Sequence, residues 1–190
     1  QVQADVSPRG ATRSVLRTEA ITTMTHTLED LLEALEDVDD ATREEAAKAL
    51  AELGDPKTLD PLVSACSDDF WSVRAYAGCA VAKIGGPKAL EALVGLFNDA
   101  IMEVRNQAVD ATAKMGAAVV ERMIAALKDE RWRVREHAAK TCGEIRDKAA
   151  VDALIAVCRD RDGAVKSAAA EALGKIGDAK AVPALIKLFR

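Results

Sequence analysis

The chain has 190 residues, a net charge of −5 at pH 7, 49% apolar and 30% charged residues, and only 3% aromatics. No run approaches the ~18 consecutive apolar residues that cross a bilayer, so membrane insertion is not expected. The acidic balance argues against nucleic acid as the partner, although a local basic patch remains compatible with it. Cys66, Cys79, Cys142 and Cys158 form no C-x-x-C pair, and His26 and His137 are the only histidines, so neither a metal nor a cofactor is expected. Cys66, Cys142 and Cys158 fall on apolar positions of the pattern described below, where a free thiol acts as a small hydrophobe. That usage points to an intracellular, reducing compartment.

Residues 1–23 read as a non-repeat extension. They carry Arg9, Arg13 and Arg17 among many Ser and Thr, with only Asp5 and Glu19 as acids. Two readings stay open: a disordered or docking tail, or the remnant of a targeting segment, which is Arg- and Ser-rich and acid-poor. The first places the protein in the cytoplasm and the second in an organellar matrix or stroma.

Residues 24–190 read as one repeat solenoid. An Asp is followed six residues later by a base, with Val or Thr just before it, at Asp37/Arg43, Asp68/Arg74, Asp99/Arg105, Asp129/Arg135 and Asp160/Lys166. Successive bases are 31, 31, 30 and 31 residues apart. A fixed period of this size marks a stacked array. Within each unit a first helix carries apolar residues at offsets of 3, 4 and 7, as in Leu59, Leu62, Val63 and Cys66, or Val151, Leu154, Ile155 and Cys158. A second helix follows the Asp, with Ala46, Ala77, Ala108, Ala138 and Ala169 in register. Gly54, Gly85, Gly116 and Gly177 stand where a left-handed cap would end it, and Pro56 and Pro87 open the next helix. The expected fold is all-α: about five helix hairpins and a terminal half-repeat holding Val182, Leu185, Ile186 and Phe189, whose apolar face is expected to be covered by further chain or a partner.

The phrase Asp-x-x-x-x-Val-Arg-x-x-Ala-Ala-x-x-Leu-x-x-Ile-Gly, matched best between Asp160 and Gly177, resembles the short HEAT repeat known as the phycobilisome-lyase HEAT-like repeat. The resemblance covers residues 25–190 and implies an α-solenoid whose second helices line a concave face. It also permits an accessory subunit of a bilin lyase or another cofactor-assembly factor, although no residue matches a lyase catalytic position. Two departures flank the fourth repeat: the step into it is one residue short, near Gly116, and Arg146 replaces the capping Gly. The superhelix is expected to deviate between Gly116 and Asp147.

The Asp/base ladder recurs in every unit, which suits a structural role, each base bonding an Asp or helix-end carbonyls of its own or the adjacent repeat. Variable positions are better binding candidates. Trp71, Met102 and Trp132 lie three residues before the anchor base; Tyr76, Gln107 and His137 lie two after it; Asp110 and Lys140 lie five after it; Asn106 and Arg133 are close by. Trp, Tyr and Arg dominate interface hot spots, so these residues define a candidate concave binding stripe. The expected function is a non-enzymatic scaffold or adaptor that binds another protein or a peptide, with nucleic acid as a further alternative. His137 beside Glu136 suggests acid–base chemistry only weakly, because no nucleophile or phosphate loop accompanies it.

Overall fold

The computed structural model describes residues 27–188; the extension 1–23 and Phe189 lie outside that range. Five hairpins follow one another: α1 (Leu28–Ala34) with α2 (Asp40–Leu53), α3 (Leu59–Ala65) with α4 (Trp71–Ile84), α5 (Gly86–Leu96) with α6 (Met102–Lys114), α7 (Val120–Ala126) with α8 (Trp132–Ile145), and α9 (Val151–Val157) with α10 (Gly163–Ile176). A final helix, α11 (Val182–Leu188), stands alone, and no strand occurs among the described residues. The first helices are mostly short because a 3-10 turn takes over their start at Pro56–Thr58, Gly116–Val119, Lys148–Ala150 and Ala179–Ala181.

The repeated apolar positions form the core. Leu62, Leu93, Met123 and Leu154 from the first helices are fully buried, as are Ala46, Ala77, Ala138 and Ala169 from the second. Small residues let the second helices lie side by side in chain order, α2 against α4, α4 against α6, α6 against α8 and α8 against α10. Backbones approach closely at Gly143 of α8, where an added Cβ would lie 2.8 Å from the Ala172 backbone. On α11, Val182 and Ile186 are exposed while Leu185 is half-buried against the core.

Helix ends follow the capping pattern with one exception. Gly54 and Gly177 close α2 and α10 in the left-handed conformation, and the Gly116 φ is also positive. Gly85, expected to be an ordinary left-handed cap, has φ 77° and ψ −167°, because it ends α4 and at once opens α5. Arg146 caps α8 at φ 59° and ψ 27°, the only non-Gly residue with positive φ among the described residues. That conformation costs an L-residue about 1–2 kcal/mol, while a glycine there gains unfolded-state freedom worth about 0.4–1 kcal/mol. Arg146→Gly is therefore expected to stabilise the fold by about 0.5–1 kcal/mol. The urea midpoint should rise with no change in the denaturant slope.

Candidate functional site

The Asp/base ladder is the frame on which the variable side chains sit. Arg43 Nε and Nη2 donate to both carboxylate oxygens of Asp68 at 2.8 and 2.9 Å, while its Nη1 donates to the Asp37 carbonyl at 2.9 Å. Arg74 treats Asp99 the same way at 2.6 and 2.9 Å, and Arg135 treats Asp160 at 2.7 and 2.9 Å. Each rung thus joins two repeats and anchors the turn of its own. The Asp160 carboxyl is held below its ordinary value by the Arg135 hydrogen bonds. At Asp68 and Asp99 burial pushes upward, but the bonds from Arg43 and Arg74 and from the turn amides outweigh it.

The third rung differs. Arg105 Nη1 donates to the Asp99 and Ala100 carbonyls at 2.7 and 3.0 Å, as its counterparts do, but its Nε is buried without an acceptor among the described residues. Asp129 instead receives Arg131 Nε and Nη2, both at 2.9 Å. The cause is the 30-residue step, which leaves 24 residues between Arg105 and Asp129 where the intact rungs have 25.

The same turns start the second helices, and here the five repeats divide. Asp39 accepts from the Thr42 amide to cap α2, and Asp162 accepts from the Ala164 amide to cap α10. The corresponding residues of the three middle repeats are Phe70, Ile101 and Arg131, none of which caps its helix through a side chain. The first helical residues that follow are Trp71, Met102 and Trp132, exposed at 40, 64 and 40%, with Ile101 at 41% beside them. Because the second helices pack in order, their starts align along one edge of the solenoid. Trp71, Met102 and Trp132 therefore line that edge rather than the middle of a helix face.

The other candidates separate by position. Two residues after the anchor the exposure varies from repeat to repeat: the Glu45 side chain is half exposed, whereas His137 lies in the seam between repeats. His137 is accordingly buried, 2% exposed, with its ring 6.2 Å from that of Phe97, which removes it from the expected binding stripe. Burial lowers its pKa, and its Nδ1 lies 2.7 Å from the Arg133 carbonyl, to which the neutral ring donates. Tyr76 is half-buried, with Lys48 Nζ 5.4 Å from its ring centroid. Gln107 is half-buried and donates to Glu103, and Lys140 is half-buried and donates to Glu136 at 2.7 Å. Asn106 and Asp110 are exposed. Arg133 lies over the Trp132 ring, 5.0 Å from its centroid, and its Nε is also buried without an acceptor. The contribution of Phe70, Ile101 and Arg131 escapes a reading based on side-chain type alone. Their signal is the Asp-x-Asp pattern of residues 37–39 and 160–162, which the middle repeats lack.

A family model described as HEAT repeats matches residues 28–113 and 120–190 and breaks where the short step falls. Among curated proteins, none matches the chain. The fold is shared with a chain from a structure described as the structural basis of microtubule plus end tracking by XMAP215, CLIP-170 and EB1 (20% identity, 83% of each chain, TM-score 0.65). It is also shared with the S. pombe condensin Cnd3–Cnd2 subcomplex, at 20% identity over 93% of this chain and 29% of that one (TM-score 0.53). A third is the CpcE–CpcF complex of phycocyanin lyase from Nostoc sp. PCC7120, at 19% identity over 97% and 82% of the two chains (TM-score 0.51). With the family model spanning most of its length, the chain belongs to the HEAT-repeat family.

Proposed function

We propose that this chain is a non-enzymatic scaffold that binds a protein or peptide segment along the edge formed by the starts of α4, α6 and α8. One observation carries the reading. Three consecutive second helices lack a side-chain cap and display Trp71, Ile101, Met102 and Trp132, while the repeats on either side keep an Asp cap and show no apolar side chain at the first helical position. Losing a cap typically costs about 1 kcal/mol. Three such losses are a sizeable share of the roughly 5–15 kcal/mol that holds a domain folded. A surface whose display costs stability in contiguous repeats fits selection for binding rather than for folding.

The chemistry of the described side chains supports binding over catalysis. Burial pushes the Cys66 and Cys142 thiols up to about 12, which leaves them protonated and unreactive, and His137 is enclosed in the core. Partners such as those of the condensin or lyase assemblies belong to those proteins; likeness at 19–20% identity is a likeness of fold. The test is a photo-activatable crosslinking residue placed at position 102, with the same residue at Lys57, in an exposed turn between repeats, as control. Crosslinking in native cells should trap a specific protein from position 102 alone. Equal capture from position 57, or none from 102, would overturn the reading.

A further inference from the structure

The third rung leaves a guanidinium whose usual counter-ion is engaged elsewhere. In the intact rungs the Nε/Nη2 edge of the arginine chelates a carboxylate at 2.6 to 2.9 Å. Arg105 is fixed in the same way by two carbonyls, and its Nε is withdrawn from water with no acceptor. A buried donor without a partner carries its full desolvation cost, which a matching acceptor removes. The fork is held in place by those carbonyls before any ligand arrives, so what opposes binding is the movement of the groups that cover Nε. Asp129 is held by Arg131 at both oxygens, and Arg131 is itself half exposed. Arg133, with its own unpartnered Nε, follows Trp132 at the start of the neighbouring uncapped helix α8, which carries positive partial charge there. The Asp99 carboxylate is also within electrostatic reach of Arg105.

We propose that Arg105 is a carboxylate-binding site, and that its ligand is an Asp or Glu side chain of a segment docked between Met102 and Trp132. This assignment rests on the edge-binding reading for the source of the carboxylate but not for the site itself. It also sets the direction of the segment. Residues 29–45 hold nine acids and one base, while residues 128–148 hold seven bases and five acids, so the acidic end of a bound segment lies toward the fourth repeat.

The site can be tested without the partner. The Nε–Hε resonances of the arginines are followed by NMR while the full chain is titrated with sodium acetate, against sodium chloride at matched ionic strength. Acetate should move the Arg105 Hε signal downfield along a saturating curve and leave Arg74 and Arg135 in place. An Arg105 signal that stays still, or that moves equally with chloride, would overturn the assignment, the latter showing an ionic-strength response only. A mobile Arg105 signal beside a failed crosslink from position 102 would sink the edge reading and leave the carboxylate site standing. The reverse pair of results would do the opposite.

Discussion

Asp160→Ala is expected to destabilise the fold by about 3 kcal/mol or more, because removing one partner of a buried pair strands the other charge. Arg135 is only 6% exposed and would lose both of its carboxylate bonds. The equivalent change one repeat earlier, Asp129→Ala, should cost about 1 kcal/mol or less, since its partner Arg131 is half exposed and such pairs are worth little. The two positions hold the same place in the repeat, so the contrast reports on the broken rung. Urea unfolding of both variants measures it. Acid sensitivity follows with a definite sign. The ladder carboxyls have folded values below their ordinary 3.8, so their stabilisation is complete above about pH 4 and is lost as pH falls through the lower folded values. His137, held below 6.5 by burial, adds an earlier loss as pH drops below 6.5, where the unfolded chain takes up the proton first. His137→Leu should flatten that upper part, and Asp160→Ala should flatten the acid limb.

Trp132→Ala and Trp71→Ala should each weaken partner binding by about 2 kcal/mol or more, roughly thirtyfold, if either ring is an anchor of the interface. Both rings are 40% exposed at the first position of their helices, where truncation removes no cap and no hydrogen bond. The variants should therefore keep a cooperative unfolding transition, and loss of binding would report on the surface rather than on the fold. Exposed charges away from this edge set mainly the association rate, so Lys57→Ala should leave affinity unchanged. Isothermal titration with the crosslinked partner, once purified, gives the three constants on one scale.

The fold is legible in the sequence because every hairpin repeats the same local instructions. An apolar face at offsets of 3, 4 and 7, an Asp turn and a buried Ala recur together, and each agrees with the others. Even the fault in the array can be read, since a 30-residue step must displace Asp129 from the reach of Arg105. The candidate surface was legible only in part. Trp71, Met102 and Trp132 stand out by type, but helical periodicity does not say that they begin their helices and so occupy an edge. His137 shows the converse limit. Its position looks solvent-facing within one repeat and becomes buried only when the neighbouring repeat stacks on it, a relation that a reading of single helices omits.

Amide hydrogen exchange, compared between the free chain and its complex, tests the edge most directly. The first amides of α4, α6 and α8 lack both an intrahelical acceptor and a side-chain cap, so in the free chain they exchange quickly. On binding, protection should rise at residues 71–73, 102–104 and 132–134 and stay unchanged at the turns around Lys57 and Lys148. Protection confined to those opposite turns, with the three helix starts still exchanging freely, would contradict binding along this edge.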